Sequence, residues 1–198
     1  MNRAFKFFAL AAAVFAVSCT GTKNFSKADL EIIRSNPDSL LHIYTIEDPQ
    51  EQKVLTTPSW DLSEKSLQSD DYVLLARRML RVVTDSIKGG IGLSAPQIGI
   101  NKAVIAVWRA DKPGQPFEVY PNIRIVANSD MLDINVERCL SVPGKTDYVD
   151  RYTGIEVEFY SLSQKKMIRD TVVDQSVARI FQHEIDHLGG ILFTDRVW

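Results

Sequence analysis

Near its C-terminus the chain carries His183-Glu184-Ile185-Asp186-His187, and this pentapeptide restricts the fold more than any other segment. In a helix, residues four apart lie one turn above each other on one face, so both imidazoles reach a single metal ion. Glu184 stands beside them, placed to take a proton from a metal-bound water. The segment is therefore expected to be a helix, and its ligand set has to be completed from elsewhere. A hydrolytic metal usually has three protein ligands and one open position. Between His187 and Trp198 there is no histidine and one carboxylate, Asp195. Zinc peptidases that share this helical motif usually draw their third ligand from downstream, so the chain suits them poorly. The third histidine, His42, falls outside every motif and is assigned no role.

The upstream candidate is Cys139, in Glu137-Arg138-Cys139-Leu140-Ser141. The chain has only two cysteines, which excludes a disulfide framework. A lone cysteine is ordinarily a small buried apolar residue, but beside a metal-type histidine pair it becomes the candidate thiolate ligand. A third segment, Gly90-Ile91-Gly92-Leu93-Ser94-Ala95-Pro96-Gln97, is rich in small residues that let a backbone or a ligand approach closely. By itself it reads equally well as a tight helix-to-strand connection. The Gln97 amide can donate to an oxyanion without introducing a charge.

Around these segments the pattern is that of an ordinary globular chain. Of its 198 residues, 45% are hydrophobic and 24% charged, and the formal net charge of -2 gives no basic field for nucleic acid. Ser66 to Lys88 reads as one long helix stopped by Gly89-Gly90. Ala103 to Trp108 reads as a buried strand, with further strands at Glu118 to Tyr120 and Ile123 to Ala127. Ile155, Val157 and Phe159 alternate with polar neighbours and predict a half-buried strand paired with Met167 to Val173. Ser176 to Leu188 is the final helix. No internal repeat or low-complexity tract is present. Strands grouped between two helices predict an α+β fold, with mixed or antiparallel strands packed around the C-terminal helix.

The N-terminus reads separately. Arg3 and Lys6 precede an apolar run from Phe7 to Val17, then Ser18 and Cys19, which is the order of a secretory signal. Ala16-Val17-Ser18-Cys19 resembles a bacterial lipoprotein signal, with Ala16 where such signals prefer leucine. Residues 1–18 are thus expected to be a signal and Cys19 a lipidated residue. Residues 19–42 are expected to form a tether, with a short helix near Ala28 to Arg34, and 43–198 the folded domain. This predicts a membrane-anchored protein of the bacterial cell envelope, the alternative being a cytoplasmic one.

Taken in order, GIGLSAPQ, ERCLS and QHEIDH resemble the three signature motifs of the peptide deformylase family, and the similarity runs from Ile43 to Trp198. Two positions depart from the family pattern: Ser94 replaces an alanine, and Arg138 replaces a glycine. The resemblance implies that this glycine lies along the groove where the substrate backbone docks, so an arginine there would narrow the groove, contact a substrate carboxylate, or point outward.

The resemblance implies a metal-dependent hydrolase that removes the N-formyl group from formyl-methionyl peptides and releases formate. It implies a metal held by Cys139, His183 and His187, ferrous iron first and zinc as the alternative. Glu184 would be the general base and acid, with the Gln97 amide and the backbone N–H of Leu140 donating to the developing oxyanion. Ile91, Gly92, Glu137 and Ile180 are the substrate contacts expected from motif position, whereas Arg179 need not face inward. Arg151 is expected to pair with Asp186. The partner is an N-formylated peptide, the membrane is touched only through Cys19, and a monomer is expected. The competing expectations are a zinc peptidase and a homologue that binds formyl peptides without turnover.

Overall fold

The computed structural model describes residues 22–197 apart from 37 and 88. The expected signal (1–18) and the lipidated Cys19 lie outside the described residues. The elements in chain order are β1 (Thr22–Lys23), α1 (Lys27–Ile33), α2 (Pro49–Leu55), β2 (Asp61–Leu62), α3 (Glu64–Leu67) and α4 (Asp70–Val83). Then come β3 (Gly92–Ser94), a 3₁₀ turn (Ala95–Ile98), β4 (Val104–Trp108), β5 (Phe117–Pro121) and β6 (Arg124–Asn128). A hairpin of β7 (Leu132–Cys139) and β8 (Val142–Tyr152) follows, then β9 (Ile155–Ser161), β10 (Lys166–Val172), α5 (Gln175–Leu188) and a 3₁₀ turn (Phe193–Arg196).

Two three-stranded antiparallel sheets, in the orders β3-β4-β5 and β10-β9-β6, flank α5, and the β7–β8 ribbon packs against it. β4 is the centre of the packing. Val104 and Ala106 leave one face into a core with α1, α4 and Leu93. Ala103, Ile105 and Val107 enter a second core with β9, Val177, Ile180 and Phe181. A strand buried on both faces is apolar at every position, which is why this one was legible as a continuous run. A third, smaller cluster of Val142, Val149, Leu192 and Phe193 supports the hairpin.

The expected Ser66–Lys88 helix is two helices. Ser69 ends the first and caps the second: its hydroxyl donates to the Ser66 carbonyl and accepts from the Tyr72 N–H. A serine that offers the backbone a local partner starts a helix rather than continuing one. α4 stops at Val83, before the glycines, and Ile87 is 90% exposed, so its apolar character does not mark a buried face.

The described part of the expected tether is a packed element. β1 pairs in parallel with β2, and Ile33 and Leu41 are buried in the first core. The reason is Arg78 on α4. Its guanidinium donates to the carbonyls of Ile32, Ile33, Ser35, Asn36 and Ser39 and to the Ser35 hydroxyl, closing the C-terminus of α1. Lys102 adds an ion pair to Asp29 at 3.5 Å. Among the described residues no helix is long and apolar enough to cross a membrane.

Arg78→Ala leaves several of these carbonyls without a donor and is expected to cost about 3 kcal/mol of stability. Urea denaturation checks this against Lys27→Ala, whose exposed pair with Glu31 should contribute no more than about 0.5 kcal/mol.

Candidate active site

α5 begins at Asp174, whose carboxylate accepts from the Val177 N–H, and buries most of its circumference. Its inner face presents His183, Glu184 and His187. The last residue of β7 delivers Cys139 to the same place, 44 positions upstream of the first histidine. The Sγ of Cys139 lies 3.2 Å from Nε2 of His187, and one donor atom from each of Cys139, His183 and His187 falls within 4.8 Å of the others. Two imidazoles and a thiolate suit a borderline divalent cation, and three protein ligands leave one position for chemistry. The surroundings agree with this: Glu184 Oε2 and His187 Nδ1 are buried with no hydrogen-bond partner.

Glu137 fixes the first histidine. Its Oε2 lies 2.8 Å from His183 Nδ1, which leaves Nε2 for a cation. Arg151 grips both Glu137 oxygens at 2.8 and 2.9 Å, and Arg179 donates to Oε1 at 2.9 Å. Burial alone would raise the Glu137 pKa, but Arg151 and His183 outweigh it and hold the carboxyl well below the usual carboxylate range. Arg151 also pairs with Asp186, as expected, and Arg196 joins that carboxylate from the final turn.

Glu184 is 4% exposed, and burial pushes its pKa up to about 7, against the opposing pull of His183. A carboxylate in that range exchanges a proton near neutrality. Gly92 makes room for it. A Cβ there would stand 2.5 Å from Glu184 Oε1 and 2.8 Å from Ile180 Cγ2. Gln97, on the 3₁₀ turn after β3, is oriented by Ser94. The Ser94 N–H and hydroxyl both donate to Gln97 Oε1, at 2.8 and 3.0 Å, which turns the amide NH₂ towards Cys139 Sγ at 3.4 Å. Leu140 opens the tight turn joining β7 to β8, and its side chain approaches Gly90.

The structure therefore brings together Cys139, His183, His187, Glu184, Gln97, Leu140, Gly92 and Ile180, while Ile91 stands 55% exposed at the edge. Glu137 corrects the expectation of a substrate contact: its side chain faces inward and is filled by two arginines and a histidine. Arg179 faces inward as well, bonding Glu137, the Val149 carbonyl and Asp133. Its spacing of four from His183 was the signal for that. Nothing in the sequence marked Arg196.

A family model, polypeptide deformylase, matches residues 40–198. The chain belongs to the polypeptide deformylase family. A peptide deformylase of Roseiflexus castenholzii is 37% identical over 175 residues, covering 80% of this chain and 89% of the relative. The class I type b peptide deformylase of Acinetobacter baumannii superposes with a TM-score of 0.71 at 31% identity, over 81% of this chain and all of that one. The same enzyme solved with Met-Ala-Ser bound gives 0.69 at 30% identity, over 80% and 99%. The activity that follows is that of a peptide deformylase, a metallohydrolase.

In this deformylase, Gly92→Ala pushes Glu184 out of place without touching a metal donor. Turnover should fall about 10²-fold with bound metal unchanged, as read by formate release and elemental analysis.

Proposed function

We propose that this deformylase hydrolyses peptides beginning with N-formylmethionine, with Glu184 as the proton carrier and Gln97 and the Leu140 N–H as the oxyanion donors. The observation that carries this reading is the buried Glu184 carboxylate, with one free oxygen, one residue along α5 from a metal-type histidine. A divalent cation held by Cys139, His183 and His187 supplies, when bound, a water acidified towards neutrality and a polarised carbonyl. Glu184 takes the water's proton as the new C–O bond forms at the formyl carbon. Negative charge grows on the former carbonyl oxygen, where the Gln97 amide and the Leu140 N–H donate to it. Glu184 then returns its proton to the nitrogen as the C–N bond breaks, leaving formate and a free amine. Met-Ala-Ser bound to the Acinetobacter enzyme supports a peptide that starts with methionine.

The donor set accommodates ferrous iron or zinc, and ferrous iron is the favoured reading on the family resemblance. The charged, apolar and small-residue order of residues 1–19 supports export and a lipid anchor at Cys19. Only two residues separate Cys19 from β1, so such an anchor would hold the domain within about 10 Å of the lipid rather than on a long leash.

Glu184→Gln should retain metal yet lose at least about 10²-fold in formate release, measured anaerobically with a formyl-methionyl peptide. Wild-type-like turnover would overturn the assignment. Cys19→Ala should move the protein out of the membrane fraction, and unchanged fractionation would remove the anchor.

A further inference from the structure

Four arginines lie on the elements that build the metal site, and three are engaged. Arg151 binds Glu137 and Asp186, Arg179 binds Glu137 and Asp133, and Arg196 binds Asp186. Arg138 is different. It precedes Cys139 directly, is exposed, and makes no hydrogen bond or ion pair with any described residue. It also sits where the hairpin loses register: Glu137 faces Asp147 and Cys139 faces Val142, so residues 143–146 bulge out opposite it. That bulge carries a second exposed, unpartnered cation, Lys145. The nearest acid by register, Asp147, turns Oδ1 to the Tyr148 N–H and pairs with neither cation. Cys139, one residue along the strand, is half-buried.

We infer that Arg138, aided by Lys145, forms an anion-reading rim that favours formylated peptides carrying a carboxylate two or three residues from the formyl group. The reach is fixed by covalent geometry. Each residue of an extended peptide spans about 3.3–3.6 Å, so a carboxylate on the third residue lies roughly 10 Å from the reacting carbon. An arginine next in sequence to a metal ligand stands at a comparable distance, inside or near the Debye length of about 8–10 Å at physiological salt. Unengaged guanidinium is suited to carboxylate, which it meets with two parallel N–H donors. The inference rests on the reading of the site as a formyl-peptide hydrolase.

The test compares kcat/KM for formyl-Met-Ala-Glu amide and formyl-Met-Ala-Gln amide in the metal-loaded full chain. Wild type should favour the glutamate peptide about three- to tenfold, chiefly through KM, and the ratio should shrink at high salt. Arg138→Ala should bring the ratio close to one, Arg138→Glu should invert it, and Lys145→Ala should lower it by a smaller factor. Arg77→Ala removes the other arginine without a partner among the described residues, on α4, and should leave the wild-type ratio. A ratio that is the same in wild type and Arg138→Glu, or that falls as far in Arg77→Ala as in Arg138→Ala, overturns the rim. If neither peptide yields formate with wild type, the functional reading falls, and the rim with it.

Discussion

The Glu137 carboxylate joins the two parts of the chain that must meet for the site to exist. The hairpin brings the thiol and α5 brings the imidazoles, and no backbone hydrogen bonds of a shared sheet hold them together. Glu137 spans the gap by binding His183 on the helix, Arg151 on β8 and Arg179 one helical turn before His183. A buried carboxylate carries a desolvation cost of several kcal/mol unless it is paired, and here three donors offset it. The same contacts set which His183 nitrogen remains free, so a packing requirement and a ligand requirement are met by one group. Asp186 repeats the device one step further out, between Arg151 and Arg196.

Behind that junction the scaffold is built to keep α5 still. β4 divides the interior into two cores with its alternating side chains, one against α4 and the N-terminal segment, the other against α5. Glu184 projects from the second of these onto Gly92, at the start of the strand that pairs with β4. The close fit between a glycine backbone and the proton-carrying carboxylate therefore depends on the register of β3 against β4, Gly92 opposite Val107.

What was legible in the sequence was what local periodicity encodes. The β4 run and the β9–β10 pairing place apolar residues on the faces that become buried, whereas the α5 pentapeptide is legible through its ligand spacing, with Glu184, Asp186 and His187 on the buried side. The β7–β8 hairpin escaped because its pattern is inverted. Leu132, Ile134 and Val136 are exposed, whereas Asp133 and Glu137 turn inward to meet Arg179 and Arg151. Alternation is present on β7, but its buried positions are the polar ones, held by ion pairs, while β8 adds Val142 and Val149 to a small apolar cluster. Within residues 22–42 the short helix near Ala28 to Arg34 is legible and is present as α1, but the docking of the segment is not, for a related reason. It docks through backbone carbonyls onto Arg78, and a carbonyl leaves no trace in side-chain pattern. α2 left a trace that was overlooked: Asp48 followed by Pro49 is a cap and a first-turn proline in sequence. Cys139, His183 and His187, which the structure brings together, are legible in the sequence because chemistry limits the choice, with few histidines and cysteines available.

The account stands on a thiolate and two imidazoles sharing one cation. X-ray absorption at the metal edge of protein loaded anaerobically with ferrous iron tests this most directly. One sulfur and two imidazole nitrogens in the first coordination shell, with the sulfur lost in Cys139→Ser, is the predicted result. A shell of nitrogen and oxygen alone in the unmutated chain would contradict it.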